Sequence, residues 1–317
     1  MSKKFLAIQA DSIETININT DTTFLLALEA QKRFSKIYWY ETKDLSFVKG
    51  KVYAEAKEVI FFQNKKKYFK VLKNTKVDLS KVKFILIRQN PPFNMDYITS
   101  TLYLEFLTKK VKILNDPKAI RNISEKFYSL NFLNFMPPTI FTNNLNLIKN
   151  FFLKYKQIVI KPIHGYAGKD ILFVNKNFNR LMIKKYLNKI GHVMVQKFLP
   201  KVKFGDKRVF ILNGKVKGAI KRVPSKGSIL SNISQGGKAT KTLLNKKELY
   251  LANFIARKLG ENLAFYRILD ESRSSKRFKN IYWLWRINNN YNKLNFFKNL
   301  MSIFFISLNS IKKYGIK

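Results

Sequence analysis

Residues 157–174 read Gln-Ile-Val-Ile-Lys-Pro-Ile-His-Gly-Tyr-Ala-Gly-Lys-Asp-Ile-Leu-Phe-Val and leave the chain few choices. The apolar runs at 158–160 and 171–174 each suit a buried strand. Between them lies Gly165-Tyr166-Ala167-Gly168, a tight turn whose two glycines tolerate positive φ. Lys161 leaves the first strand beside it. A strand, a lysine, a small-residue loop and a second strand can cover a nucleotide. Loop N–H groups then reach phosphate oxygens and the lysine neutralises them. An ordinary hairpin with a solvated lysine explains the stretch equally well, so the rest of the chain has to decide.

Composition narrows the field. The 317 residues are 46% hydrophobic, enough for two domains or one domain with lobes. There is no cysteine, which excludes disulfides and Cys-based metal or nucleophile chemistry and fits a reducing cytosol. Two histidines, His164 and His192, are too few for a His-rich metal site. The first apolar run stops at Ile8, too short for a signal-peptide core. The late run at 302–308 is far short of a membrane span. A cytoplasmic location and no membrane partner are expected. The net charge of +42 suggests nucleic acid or another anionic surface. Compositional drift explains it better: Lys, Asn, Ile and Phe are all abundant, as AT-rich coding gives, and the lysines are spread throughout.

In chain order, 5–10 reads as a strand, and Asp21 or Thr22 caps a helix to about Arg33 with Phe24, Leu25 and Leu28 inward. A strand at 37–40 completes the opening of an α/β layer. Residues 51–76 look like lysine-rich surface hairpins. The strand 83–88 runs into Gln89-Asn90-Pro91-Pro92-Phe93-Asn94, whose prolines stiffen a loop at a strand end, where α/β sheets bind ligands. Arg88 there suits a carboxylate held by two hydrogen bonds, or a surface ion pair. After a short strand at 111–114, Asp116-Pro117 starts a helix with Ile120, Ile123, Phe127 and Leu130 as its stripe. Lys126 lies off that stripe. Pro137-Pro138 marks a lobe boundary. A strand at 193–196 leads to Lys197-Phe198-Leu199-Pro200. Asn213-Gly214 is the strongest hairpin signal, with Asp206 and Arg208 preceding it. Residues 224–237 form a long loop, a mobile lid or a disordered segment. An amphipathic helix over 246–259 carries Leu249, Leu251, Ile255 and Leu259.

The order of these motifs resembles prokaryotic glutathione synthetase, a family of ATP-grasp ligases. The matching stretches are Asn17-Ile18-Asn19, Asp21, Leu28-Glu29-Ala30-Gln31, Arg88, Pro91-Pro92-Phe93, Leu114-Asn115, Arg121 and Glu125-Lys126. They continue with Ile160-Lys161-Pro162, Gly165, Gly168, Gln196, Leu199-Pro200, Gly205-Asp206-Lys207-Arg208, Asn213-Gly214, Arg222-Val223-Pro224, Asn232 and Gly236-Gly237. The resemblance covers residues 1 to about 260. It implies an α/β and α+β architecture: an amino-terminal α/β substrate domain over 1–122, then a two-lobed ATP-grasp fold. Its first lobe spans 123–200 and its second 201–261, with the lid at 224–237 and an atypical segment at 262–317.

The implied reaction joins γ-glutamylcysteine to glycine. The dipeptide carboxylate attacks the γ-phosphate of ATP, and glycine displaces phosphate from the acyl phosphate. By the same resemblance, Lys126 and Lys161 are phosphate ligands, with Gly165 and Gly168 in the phosphate loop. Gln196, Lys197, Phe198 and Leu199 form the hinge beside adenine, and Asp206 makes a ribose or adenine-side contact. Arg208 and Arg222 are the catalytic cations. Arg88, Asn90, Asn232, Gly236 and Gly237 lie on the substrate and lid side. ATP and Mg2+ or Mn2+ are the implied cofactors. No nucleic-acid partner is expected, and self-association stays open.

Three departures stand out. Asn90 and Asn94 occupy positions that are often aspartate in the family, and Ala167 stands where glycine is usual. That last change is modest if its φ is negative. The third is larger: the family's acidic strand and Glu-x-Asn metal motif are not found. Beyond 262 the only acids are Asp270 and Glu271, and only Asp270 suggests a displaced metal ligand. Residues 262–317 hold one glycine, no proline and two of the three tryptophans, Trp283 and Trp285. A composition shift that coincides with the missing motif points to a shifted reading frame after about Leu263; the competing reading is a divergent carboxyl terminus that still works. Two other readings compete: another ATP-grasp carboxylate–amine ligase, which the Pro-Pro-Phe loop disfavours, and a non-enzymatic polycation that binds nucleic acid, for which no recognition motif speaks.

Overall fold

β1 (Phe5–Gln9), α1 (Thr22–Ala30) and β2 (Lys36–Tyr40) open the chain as a strand, crossover helix and parallel strand. The computed structural model of the protein describes residues 4–19, 21–124, 126–212, 214–233 and 236–262. Expectations on Glu125, Asn213 and Gln235, and on Leu263, Asp270, Glu271, Trp283 and Trp285, lie outside the described residues. Two compact units emerge, built mainly from Met1–Ile123 and Ser124–Arg257.

In the first unit, α1 starts where Asp21 Oδ1 accepts from the N–H groups of Thr23 and Phe24, at 2.6 and 3.0 Å. This cap satisfies two of the N–H groups left unpaired at a helix start. The chain continues through β3 (Leu45–Val48), β4 (Lys51–Phe61), β5 (Phe69–Asp78), β6 (Phe84–Ile87), α2 (Met95–Glu105), β7 (Lys112–Leu114) and α3 (Pro117–Asn122). One seven-stranded sheet runs β3-β4-β2-β1-β6-β7, with β5 paired to β4. β2, β1, β6 and β7 are parallel; β3, β4 and β5 add antiparallel pairs.

Side chains alternate across β1, so Leu6 and Ile8 enter one apolar layer with Phe24, Ala27, Ile37 and Phe61. Ala7 enters the other with Tyr40, Ala54, Ile85 and Leu104. Layers on both faces of a sheet are what parallel strands require.

Two expectations change here. Residues 51–76 are not surface hairpins alone: β4 carries Val52, Ala54, Ala56, Val59 and Phe61 into the core. The alternation in Val-Tyr-Ala-Glu-Ala sets this, and a register shift at Glu58/Val59 keeps Val59 inward. The helix after Asp116 ends at Asn122, because Ile123 leaves helical dihedrals at φ −106, ψ 67. Asn122, Ile123 and Ser124 are weak helix formers. The expected stripe is therefore broken, and Phe127 and Leu130 stand exposed.

The second unit contains β8 (Thr139–Thr142), α4 (Leu145–Tyr155), β9 (Ile158–Pro162), β10 (Leu172–Val174), α5 (Arg180–Ile190) and β11 (Val193–Lys197). These four strands form an antiparallel sheet, β10-β9-β11-β8. Ile148, Phe152, Ile183 and Leu187 of its two helices pack on Ile158, Ile160, Val193 and Val195. β12 (Asp206–Leu212), β13 (Lys215–Val223) and β14 (Lys238–Thr242) form a second antiparallel sheet in that order. Asp206 and Arg208 thus lie within the hairpin strand rather than before it. β14 pairs a stretch whose pattern gave no strand signal. α6 (Lys246–Asn262) buries Leu251, Ala252, Ile255 and Ala256, while Leu249 points outward.

Phe24 anchors the α1 face, with edge contacts to Phe61 and Tyr68 at 6.1 Å each. Phe24→Ala should cost about 3–5 kcal/mol of stability in denaturant unfolding. Lys70→Ala, on exposed β5, should stay within about 0.5 kcal/mol. Equal midpoints for the two would contradict this packing.

Candidate active site

Strand alternation builds the site. Ile158 and Ile160 of β9 point into the helix-backed core, so Val159 and Lys161 point the other way. In β11, Val193 and Val195 are core, so Met194 and Gln196 share the face of Val159 and Lys161. All four line a cavity of about 330 Å³ within the second unit.

Lys161 Nζ donates to Gln196 Oε1 at 2.6 Å. Gln196 Nε2 donates onward to Thr139 Oγ1 of β8 at 2.9 Å. This chain of bonds fixes the amide orientation and aims a positive charge from the sheet into the cavity.

The turn between β9 and β10 closes one side. Lys126 Nζ donates to the carbonyl oxygens of Gly165 at 2.6 Å and Ile163 at 3.5 Å, pinning the turn. A Cβ on Gly165 would lie 2.9 Å from Pro162 Cβ, so close packing, and not positive φ, demands glycine there. Positive φ falls instead on Ala167 at 54° and Gly168 at 81°. The expectation that Ala167 is a modest change is therefore corrected: its Cβ is strained in this region.

After β11, Phe198 packs its ring on Phe173 at 4.4 Å, and its N–H donates to Gln157 O at 2.9 Å. Lys197 lies over the Tyr155 ring at 5.5 Å. Gly205 has φ +92°, and a Cβ there would sit 2.3 Å from Arg222 O, so only glycine lets β12 meet β13. Asp206 faces Arg222 across that pairing. Arg222 Nε and Nη2 donate to the two Asp206 oxygens at 2.8 and 2.6 Å. Arg222 is 5% exposed and lies in β13, ahead of the loop.

The loop 224–237 contributes Ile229, Leu230, Ser231 and Asn232 to the cavity. Gly237 N donates to Asn232 O at 3.0 Å, and a Cβ on Gly237 would lie 2.5 Å from Ser231 O. Gly236, at φ +85°, and Gly237 shape the loop so that Ser231 and Asn232 reach the cavity.

Lys126, Lys161, Gly165, Gly168, Gln196, Lys197, Phe198, Leu199, Asp206, Arg222 and Asn232 all line the cavity. Arg208, in β12 opposite Ile220, is not among the described lining residues, and neither are Gly236 and Gly237. Sequence reasoning gave Tyr166, Lys169 and Lys207 no role in the site, yet all three also line it. Lys207 Nζ donates to Glu248 Oε2 at 2.8 Å and Leu243 O at 3.0 Å. Its place after Asp206 on a strand edge gave the only signal.

Arg88 and Asn90 belong to the first unit. Arg88 is no surface ion pair: its Nε and Nη2 donate to Thr23 and Thr22 hydroxyls at 3.2 and 3.0 Å. Burial holds the guanidinium below its ordinary pKa, against the pull of Asp21. Asn90 donates its N–H to Asp11 at 3.3 Å and its side-chain amide to Asp11 Oδ2 at 2.5 Å. Asn94 caps α2, accepting from Tyr97 N at 3.0 Å, a role an amide oxygen fills as well as a carboxylate. Burial pushes the Tyr97 phenol up to about 12, with Arg88 opposing.

If Ala167 is strained as its φ states, Ala167→Gly should raise the melting temperature, by about 1 kcal/mol or less in stability. A fall would show that the loop tolerates alanine without strain.

Comparison with known proteins places these features in context. The description "prokaryotic glutathione synthetase, N-terminal domain" matches residues 5–121, and "prokaryotic glutathione synthetase, ATP-grasp domain" matches 125–270. The chain is 36% identical over 258 residues to a glutathione synthetase of Buchnera aphidicola subsp. Schizaphis graminum, covering 79% of this chain and 80% of that one. It is 36% identical over 246 residues to the glutathione synthetase of Bradyrhizobium diazoefficiens, covering 77% and 78%. In fold it is similar to D-cycloserine synthetase DcsG, with a TM-score of 0.55, 14% identity, and coverage of 81% of this chain and 82% of the other.

Proposed function

Since the chain belongs to the prokaryotic glutathione synthetase family and is an ATP-dependent ligase of glutathione synthesis, we propose that the cavity of the second unit holds the ATP. The observation that carries this reading is charge. Among the described residues, Lys126, Lys161, Lys169, Lys197, Lys207 and Arg222 line the cavity with one lining carboxylate, that of Asp206, while Lys207 is also paired with Glu248 behind it. Asp206 is already held by Arg222. The lysines are thus the groups that neutralise a polyphosphate, and the apolar Val159, Met194, Phe198 and Leu199 suit a base. Transfer of a phosphoryl group to a carboxylate needs this neutralisation, alignment of the two reactants and exclusion of water. The loop 224–237 supplies the last of these by closing over the acyl phosphate. Arg88 and Asn90 are proposed to face the dipeptide, and a cytoplasmic location accords with a small soluble-substrate reaction. Among the described residues no helix is long and apolar enough to cross a membrane.

Among the described residues there is no group of three or more His, Asp or Glu side chains able to hold a metal. The one carboxylate among the described cavity residues is paired with arginine. This donor set does not fit a magnesium site, which takes hard oxygen ligands, usually carboxylates. Asp270 lies outside the described residues. The family match runs to 270, a few residues past the point near Leu263 where the resemblance is expected to stop, so the proposal of a shifted frame concerns chiefly the residues after 270. Translation of the DNA beyond the Leu263 codon in its other two frames should show a Glu-x-Asn followed by Ser-Pro. Absence from both frames, or normal turnover by the purified chain, would remove the idea.

Lys161→Gln should weaken binding of an ATP analogue by about tenfold in calorimetric titration, the size of one charged contact. Its melting temperature should barely move. Unchanged affinity would take Lys161 out of the site. Limited proteolysis should cut the loop 224–237 in the free protein and spare it with ATP and γ-glutamylcysteine present. Cleavage that ligands do not slow would end the lid reading.

A further inference from the structure

The lysines around the cavity differ in what holds them. Lys126 rests on carbonyl oxygens, Lys161 on an amide oxygen and Lys207 on the Glu248 carboxylate. Lys169 is held by Tyr166: its Nζ lies 3.3 Å from the phenol oxygen and 4.9 Å from the ring centroid. Both partners are neutral, and among the described residues no carboxylate forms an ion pair with Lys169. The side chain is exposed and yet lines the cavity.

The backbone around Lys169 is anchored at both ends. Lys126 pins Gly165 on one side. On the other, Tyr186 donates its hydroxyl to Asp170 O at 2.6 Å. Between these points the Lys169 N–H donates to Tyr166 O at 3.0 Å, with Gly168 and Asp170 in the left-handed region at φ 81° and 55°. A short loop fixed at its ends therefore presents one ammonium group at its tip, toward the cavity.

We propose that Lys169 is a further phosphate-binding residue, stored against Tyr166 until a nucleotide enters and then transferred to its terminal phosphates. The proposal rests on the reading of this cavity as the ATP site. A charged, partly desolvated phosphate oxygen binds an ammonium group more strongly than an exposed ring and a neutral hydroxyl do. The exchange needs only side-chain rotation, since four flexible bonds separate Nζ from the fixed backbone. Because the contact is with the phosphate end, Lys169 separates triphosphate from monophosphate and leaves base recognition alone.

The test is calorimetric titration of the full chain, as wild type, Lys169→Met and Lys169→Arg, with a non-hydrolysable ATP analogue and with AMP. Lys169→Met should bind the triphosphate analogue about fivefold to tenfold more weakly, the size of one charge-assisted contact. AMP affinity should stay unchanged, and Lys169→Arg should recover most of the loss. Wild-type affinity for the analogue in Lys169→Met would overturn the proposal. So would an equal loss for AMP and analogue, which marks a structural role. A wild-type chain that binds neither nucleotide overturns the cavity reading itself, an outcome distinct from the other two.

Discussion

The hydrogen-bonded chain from Lys161 through Gln196 to Thr139 is the constraint on which the second unit's site depends. It crosses three neighbouring strands, β9, β11 and β8, so the position of the charge is set by sheet register and not by a loop. Lysine loses side-chain freedom when held this way, at up to about 2 kcal/mol. The apolar reverse face, with Ile158, Ile160, Val193 and Val195 fully buried, supplies the compensating stabilisation. A one-residue slip of β9 would put Lys161 into that core and Ile160 into the cavity, which is why the register is strongly specified.

The second sheet solves a different electrostatic problem. Arg222 is nearly inaccessible and is satisfied by both oxygens of Asp206. Removing one partner of such a pair typically costs about 3–5 kcal/mol, because the other charge stays buried alone. The pair is thus a fixed, nearly neutral part of the cavity wall, and the lysines carry the positive potential. Gly205 makes this possible, since any Cβ there would collide with the Arg222 carbonyl before the strands could meet.

In the first unit, polar groups gather where β1 and β6 end, as open parallel sheets favour. Gln9, Gln89 and Ser100 form a buried network, with Gln9 Nε2 donating to Gln89 Oε1 at 2.9 Å and Ser100 Oγ at 3.2 Å. Just beyond it, Asp11 holds Asn90, and Thr22 and Thr23 hold Arg88. The substitution of amide for carboxylate at position 94 is absorbed by helix capping. At position 90 the amide has Asp11 as its partner, so a carboxylate remains at this end of the sheet even though Asn90 carries no charge.

Much was legible before any coordinates. Short apolar runs placed β1, β2, β6, β9 and β11 within a residue or two, and Asp21 and Asp116 announced their helices because short side chains cap N–H groups locally. The pairing of Lys161 with a glycine turn was visible for the same local reason. Four things were not. β14 carries no alternation signal, and it is a strand only because β13 offers an unpaired edge. The reason for Gly165 lies in Pro162, a contact that the turn creates. Ala167 takes positive φ because the ends of its turn are pinned from elsewhere, by Lys126 among others. The Asp206–Arg222 pair joins residues 16 positions apart, which the hairpin register brings face to face. Sequence thus determined which residues go inside and where charge emerges, through local periodicity and capping. Tertiary structure decided which charges neutralise each other and which face the cavity, because that depends on distances between strands that no local pattern encodes.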